Sequence, residues 1–289
     1  FDGDVNFKSY FESVQCHGDY DTWLKLAKKV RSGNVFPRLI LAASFASVLV
    51  KPLGGLPFFL HIWGGTEVGK TVGLMLAASV WANPEVGRYI HTFNSTSVGR
   101  EKSAAFVNSL PLILDELQII KDKKDFDQSI YMLSEGAGRT RGNKSGGVDK
   151  TPTWSNCVIT SGEMPITNAS SGGGAVNRIL EVECTERLFD DPRHVANILK
   201  SNYGFAGKAF VELLQVPEMI EAAQIIYEQI YAQTKTEDTM EKQAGAAALV
   251  LTADKLITDW IFKDDKALTV QEISEFLKSK EAVSVNQRA

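Results

Sequence analysis

The sequence predicts an α/β protein with a five-stranded, mostly parallel sheet, a helical N-terminal segment and a helical C-terminal lid. Three observations predict it. Short apolar runs alternate with helical patterns between residues 56 and 190, the turn-rich stretch "KPLGGLP" precedes them, and the apolar repeat beyond residue 190 is wholly helical. We therefore expect an N-terminal segment at 1–55, a sheet-containing core at 56–190 and a lid at 191–289, and we expect the chain to be a piece of a longer protein.

The two flanking regions carry apolar residues at helical spacing. Asp21 is the expected N-cap of the first helix, Gly33 its end, and Pro37 the start of a second helix. In the C-terminal region an apolar stripe covers 249–261, and "TVQE" from Thr269 predicts a capping box for a last helix.

The core contains five apolar runs with the length and turn flanks of strands. They are "FFLHIW" (58–63), "RYIHTF" (88–93), "LPLILDE" (110–116), "WSNCVIT" (154–160) and "RILEVEC" (178–184). Helices are expected between them at 72–82, 97–109 and 125–135.

Composition limits the possible functions. A chain of 289 residues that is 44% hydrophobic can bury a large core, and its net charge of -4 argues against a protein coated in nucleic acid. The apolar stretch 39–50 is shorter than the roughly 20 residues that span a membrane. Three distant cysteines predict neither disulfides nor zinc, and no signal-peptide pattern is present. We expect a cytoplasmic protein without a membrane partner.

The stretch "GGTEVGKT" matches the phosphate-binding pattern G-x-x-x-x-G-K-[ST] between a predicted strand and a predicted helix. Its glycines let backbone amides curl around phosphate oxygens, Lys70 reaches the β- and γ-phosphates, and Thr71 binds Mg²⁺. The alternative is a glycine-rich turn that happens to contain Lys-Thr. The predicted ATP-binding residues are Gly64, Gly65, Thr66, Glu67, Val68, Gly69, Lys70 and Thr71.

The third predicted strand ends in Asp115 and Glu116, where ligands of open α/β sheets bind. Asp115 is the expected second Mg²⁺ residue, and Glu116 the residue that polarises the attacking water. A strand ending in a solvated acidic turn is the alternative. At the end of the fourth strand, Thr160 or Ser161 is expected to sense the γ-phosphate, with simple capping by hydroxyls as the alternative.

Arg178 precedes the fifth strand and follows a glycine-rich loop. Its guanidinium suits the transition-state charge on a γ-phosphate bound by a neighbouring subunit. The alternative is a surface arginine paired with Glu181 or Glu183.

These motifs together resemble a family of uncharacterised domains carried by phages, plasmids and staphylococcal-type mobile elements. That family looks like a branch of the AAA+ ATPases, similar to minichromosome-maintenance-like replicative helicases. The resemblance covers most of the chain from Leu41. It rests on the order of "HIWGGTEVGKT", "LPLILDELQ", "YMLSEGAGRTRG", "WSNCVITSGE", "NRILEV" and "NYGFAGKAFVELL".

The resemblance implies a ring-forming, DNA-stimulated ATPase that uses ATP and Mg²⁺, often with an attached primase or other replication module. It places Lys70, Thr71, Asp115, Glu116, Thr160 or Ser161, and Arg178 at the family's site positions. It also implies a hairpin before the fourth strand that projects into the ring channel. Lys242 stands where related helicases carry a lid arginine, although a lysine lacks the same donor fork.

The stretch "GAGRTRGNKSGGVDK" (136–150) falls where that hairpin is expected. Its cations predict contact with DNA phosphates, through Arg139, Arg141, Lys144 and Lys150. Trp154, just beyond it, is a candidate for packing or base stacking. A mobile linker, a second phosphate cradle, and a role of Arg139 or Arg141 at a neighbour's ATP are the other interpretations.

We therefore expect an ATP-dependent helicase or translocase, a homo-oligomeric ring on single-stranded or forked DNA, acting in replication of a mobile element or phage. The alternatives are an AAA+ ATPase that loads or remodels partners without unwinding, and a nucleotide-gated assembly module without catalysis. The Asp115–Glu116 pair and Arg178 disfavour a small-molecule kinase.

Overall fold

The computed structural model of the protein describes residues 4–93, 95–116, 123–142, 147–167, 177–237 and 239–277. Five strands form one parallel sheet, and this confirms the predicted sheet. The strands are β1 (Phe58–Trp63), β2 (His91–Thr92), β3 (Leu112–Asp115), β4 (Cys157–Gly162) and β5 (Ile179–Glu183). Their order across the sheet is β2-β3-β4-β1-β5. β4, the strand that follows the predicted hairpin, therefore lies between β1, which leads into the 64–71 loop, and β3, which ends at Asp115.

The three central strands are apolar runs because helices cover both faces of a parallel sheet. In register, Phe58 pairs with Cys157 and Phe59 with Ile179, so the amino ends of β1, β4 and β5 meet at one edge. β2 is shorter than the predicted 88–93. Residues 87–90 form a turn in which Gly87 N donates to Ile90 O at 2.8 Å, so most of the predicted strand 88–93 does not pair with β3.

The helices of the core lie close to their predicted bounds. α4 (Lys70–Ser79) begins two residues before the prediction, at Lys70 itself. α5 (Ser97–Val107) begins at the predicted residue, and α6 (Lys123–Glu135) ends at the predicted residue. Residue 135 thus ends a helix and residue 136 starts the glycine-rich stretch.

The N-terminal region contains α1 (Lys8–Ser13), α2 (Tyr20–Arg31) and α3 (Val35–Ala46). The prediction that Asp21 is the N-cap of α2 is wrong. Asp19 is the cap, because its carboxylate accepts a hydrogen bond from Thr22 N at 2.8 Å, whereas Asp21 lies in the first turn. α3 begins two residues before Pro37.

Beyond the sheet the chain is helical. It forms α7 (Pro192–Ser201), α8 (Phe205–Leu214), α9 (Pro217–Thr234), α10 (Glu241–Ile257), a π-helical turn (Thr258–Phe262) and α11 (Val270–Ser274). The predicted capping box at Thr269 is confirmed, with Glu272 as its partner. α10 is buried nearly all round, polar residues included, because it packs between α3 and α9.

A buried ion cluster joins the two flanking regions. Arg31 of α2 is fully buried and bonds to Asp254 at 2.9 Å, Thr258 at 2.8 Å and Asp264 at 3.1 Å. Its guanidinium also lies 4.4 Å from the ring centre of Phe262. Residues before and after the sheet therefore share one core. Within the described part of the chain no helix has the length and apolarity to cross a bilayer.

Candidate functional site

The 64–71 loop connects β1 to α4 at the carboxyl edge of the sheet. Gly64 has φ 147°, and a Cβ there would lie 2.8 Å from Cys184 O, so only glycine allows this close approach to the end of β5. Gly69, with φ 94°, is the N-cap of α4. The loop therefore has the tightly curled backbone that anion-binding loops require.

Lys70 lies across this loop. Its Nζ donates to Gly64 O at 2.9 Å and to Gly65 O at 2.5 Å. Val68 O accepts from Leu188 N at 2.9 Å, which fixes the loop to the segment after β5. The ammonium group is thus held at the mouth of a loop whose amides begin a helix.

Thr71, Asp115 and Ser161 meet beside the loop. Thr71 Oγ1 donates to Asp115 Oδ2 at 3.1 Å, and the Ser161 hydroxyl bonds to Asp115 Oδ1. The three residues belong to α4, β3 and β4, and Asp115 is only 6% exposed. Thr71 and Asp115 offer oxygen atoms, the ligand type that Mg²⁺ takes. No cluster of three His, Cys, Asp or Glu side chains occurs among the described residues, and Mg²⁺ in nucleotide sites needs only one or two protein ligands besides phosphates.

Glu116 is exposed and has a left-handed backbone, with φ 58°. Its amide donates to Asp115 Oδ1 at 3.0 Å. A non-glycine residue in this conformation costs about 1–2 kcal/mol, and such residues concentrate at functional sites. The turn leaves the Glu116 carboxylate in solvent beside the loop.

Thr160 and Ser161 point to opposite faces of the sheet because they are consecutive in β4. Thr160 Oγ1 lies 2.8 Å from His61 Nδ1, and His61 Nε2 lies 2.9 Å from Met164 O. A carbonyl only accepts, so Nε2 carries the proton and Nδ1 accepts from Thr160. Thr160 is therefore bonded to His61, whereas Ser161 is the hydroxyl beside Asp115.

His61 is a site neighbour that the sequence analysis missed. It is fully buried, and desolvation lowers the pKa of His61 to about 4, which keeps the ring neutral. A histidine inside the apolar run "FFLHIW" was the available signal, since a buried imidazole needs polar partners.

Arg178 lies at the opposite, amino edge of the sheet, directly before β5. In register Arg178 stands opposite Phe58, six residues before Gly64, so at roughly 3.3 Å per residue its backbone lies about 20 Å from the 64–71 loop of the same chain. Its Nη1 donates to Ser134 O at 2.6 Å and to Glu135 Oε1 at 2.7 Å. Its ion pair is with Glu135 rather than with the Glu181 or Glu183 that the alternative assumed.

A cavity of about 270 Å³ opens at the same amino edge. Arg178, Lys242 and the stacked rings of Tyr227 and Tyr231 line it. Lys242, which stands where related helicases carry a lid arginine, therefore lies beside Arg178 and away from the 64–71 loop of its own chain.

The 136–150 stretch pairs with the residues that follow it. Gly138 N donates to Pro152 O and Asp149 N to Arg141 O, both at 2.8 Å. Bridges join residues 137 and 153, and residues 142 and 148, in antiparallel fashion. We call residues 136–154 the hairpin. Its two paired arms distinguish it from a linker, and its tip, with Lys144, lies outside the described residues.

The predicted DNA cations differ in their surroundings. Arg141 forms a two-bond pair with the buried carboxylate of Glu101, each bond 2.8 Å long, and these bonds raise the pKa of Arg141. Arg139 and Lys150 are exposed. Trp154 is 2% exposed and donates from Nε1 to Leu133 O at 2.8 Å, so it packs under the hairpin and is not a stacking platform.

Residues 6–154, just over half of the 289 residues, match the family model described as "Domain of unknown function (DUF927)". The chain belongs to this family. The matched region includes the 64–71 loop, Asp115 and the hairpin, and it ends before β4. No curated protein matches the chain.

A solved structure described as "SCCmec type IV Cch - active helicase" is similar to this chain, with a TM-score of 0.72 and 18% sequence identity. The match covers 97% of this chain and 52% of that one, so the chain spans about half the length of that protein. At this identity the likeness is one of fold. The DUF927 chain thus has a fold similar to that of a protein described as a helicase.

Proposed function

We propose that the chain is the ATPase module of an AAA+ helicase or translocase that acts on DNA. The observation that carries the proposal is the meeting of Lys70, Thr71, Asp115 and Ser161 at one edge of the sheet, brought about by β4 lying between β1 and β3. Such an edge is where ligands of open α/β sheets bind.

In this proposal the residues divide the work of phosphoryl transfer. Amides of the P-loop, 64–71, and Lys70 bind phosphate oxygens. Thr71 and Asp115 hold Mg²⁺, which neutralises phosphate charge when bound. Glu116 orients the attacking water and accepts its proton. Ser161, rather than Thr160, is the residue that senses the γ-phosphate, because Ser161 lies beside Asp115 whereas Thr160 points to the opposite face of the sheet and bonds to His61.

A cavity of about 130 Å³ beside the P-loop suits the nucleotide base. Leu188 and Phe189, which contact the loop, line it together with Leu26, Asn34 and His194. Besides these side chains the lining includes charged groups, among them Arg187 and Asp190, so a base would pack against the apolar part of the cavity.

The amino edge supports assembly into a homo-oligomeric ring. Arg178 is too distant from the P-loop of its own chain, whereas a neighbouring copy could present a γ-phosphate to it. The exposed Arg139 and Lys150 of the hairpin are proposed to bind phosphates of single-stranded or forked DNA. A role in replication of a mobile element, with a primase as partner, follows from the family resemblance and from the likeness to an SCCmec protein.

The test is ATP hydrolysis by the full-length protein with and without single-stranded DNA, followed by unwinding of a forked duplex. We expect DNA to raise the turnover and salt to weaken DNA binding. An unstimulated ATPase that does not bind DNA would sink the helicase proposal, and no hydrolysis at all would leave a nucleotide-gated assembly module.

A remodelling or loading ATPase without unwinding is the second candidate. It is favoured by the engagement of Arg141 with Glu101 and by the burial of Trp154, which leave Arg139 and Lys150 as the exposed cations in the described part of the hairpin. Hydrolysis without strand separation on any fork would select it.

A further inference from the structure

The end of α6 touches both the hairpin and Arg178. Leu133 O accepts from Trp154 Nε1 and Gly136 O from Trp154 N, at 2.8 and 2.9 Å. Between them, Ser134 O and Glu135 Oε1 accept from Arg178 Nη1. The two inner residues of this four-residue stretch therefore bond to Arg178, and the two outer residues bond to Trp154 at the base of the hairpin.

This helix end is packed tightly against the sheet. Gly136 has φ 76°, and a Cβ there would lie 2.8 Å from Trp154 O and 2.9 Å from Pro57 Cγ, directly before β1. There is little free space around Gly136, so a displacement of the hairpin base is passed on to the residues packed against it. It must move residues 133–136 together.

Glu135 is the acid that orients the Arg178 guanidinium. The Arg178 side chain is 8% exposed and the Glu135 side chain 40% exposed, so the pair is partly shielded from water. Arg178 and Lys242 line one cavity, and their like charges favour separation. Glu135 counters this repulsion, and its bond to Nη1 holds the guanidinium in place beside the cavity.

We propose that Glu135 is a positioning residue that aligns Arg178 for the nucleotide of a neighbouring copy and transmits the state of the hairpin to it. This inference rests on the proposed function, since it takes the hairpin as the DNA contact and Arg178 as a group acting on the neighbour's phosphate. DNA that shifts the hairpin base moves Glu135, and the guanidinium moves with it.

The experiment compares wild-type full-length protein with Glu135→Gln, Glu135→Asp and Glu212→Gln, the last an exposed carboxylate of α8 paired only loosely with Lys208. Oligothymidylate serves as the DNA. For Glu135→Gln we expect about a tenfold loss of DNA-stimulated kcat, with the KM for ATP and the DNA affinity within about twofold of wild type. Glu135→Asp should recover part of the stimulation, and Glu212→Gln should behave as wild type.

A second measurement excludes a merely structural effect. In an Arg178→Lys background Glu135→Gln should cause no further loss, because a lysine cannot use the orientation that Glu135 sets. Thermal unfolding should show that every variant is still folded at the assay temperature. Full stimulation of Glu135→Gln, or additive losses in the double variant, would overturn the inference while leaving the proposed function intact. A wild-type protein that DNA does not stimulate would overturn both.

Discussion

The two edges of the sheet are built in different ways. At the carboxyl edge the loop, Lys70 and Thr71 come from one continuous stretch, 58–79, and Asp115 and Ser161 join them from β3 and β4. At the amino edge Arg178, Glu135 and Trp154 come from three separate segments, and their contacts join residues about 20 to 40 positions apart. The first edge has a sequence pattern, and the second has none.

The difference shows which features of a site a sequence motif can predict. A strand, a glycine-rich turn and a helix N-terminus are local structures, so their residue types specify their geometry. The partner of an arginine is decided by which elements the fold brings together. In the proposed function the carboxyl edge therefore carries the chemistry within one chain, and the amino edge acts between copies.

The largest expected effect is at the carboxyl edge. In the proposed function Lys70 reaches the phosphates and Glu116 activates water, so Lys70→Ala and Glu116→Gln should each reduce ATP hydrolysis by about 10³-fold. Steady-state phosphate release measures both, and Glu116→Gln should still bind ATP. Lys208→Ala, at an exposed lysine, is the control. Wild-type turnover in Lys70→Ala would contradict the assignment of this edge.

Arg178→Ala tests whether the amino edge acts between copies. We expect a loss of hydrolysis of about 10³-fold with ATP affinity unchanged, because in the proposed function the guanidinium stabilises only transition-state charge. Mixing Arg178→Ala with Lys70→Ala protein should restore part of the activity, since some interfaces then pair an intact P-loop with an intact Arg178. If the mixture stays inactive, Arg178 acts within its own chain or only in folding.

The third prediction concerns His61, which lies in β1 between the two edges. Its folded pKa of about 4 lies below the usual value near 6.5, so the unfolded chain takes up a proton first as pH falls. The contribution of His61 to the free energy of unfolding is fully present above about pH 6.5, and about 3 kcal/mol of it is lost as the pH falls toward 4. Urea unfolding at several pH values measures this. His61→Asn, which keeps an acceptor for Thr160, should flatten the slope; an unchanged slope would contradict the burial of the ring.

The smallest effects are expected in the hairpin. Arg139→Ala should weaken binding to single-stranded DNA several-fold and reduce the salt slope by about one, while Arg88→Ala, at an exposed arginine outside the hairpin, should not. Arg141→Ala should instead lower the melting temperature, since it leaves the buried Glu101 carboxylate without this partner. Fluorescence-anisotropy titration and thermal unfolding separate the two outcomes. Equal losses of DNA affinity would show that the Glu101 pair opens on binding.

Much of the fold could be predicted from the sequence. All five strands and three core helices were placed within a few residues, because buried parallel strands are apolar runs and helices repeat at 3.6 residues. The shortened β2 and the N-cap at Asp19 were missed, since a turn at Gly87 and a choice between two nearby aspartates depend on local geometry. The roles assigned to the site residues remain predictions.

The 64–71 loop, the acidic strand end and the basic glycine-rich stretch before β4 can all be located from the amino-acid sequence. The side-chain partners follow from the folded chain: Ser161 bonds to Asp115 and Thr160 to His61. Arg141 pairs with Glu101, and Arg178 pairs with Glu135. The physical reason is that backbone geometry follows from neighbours in the chain, whereas the partner of a buried polar group is set by the packing of distant elements.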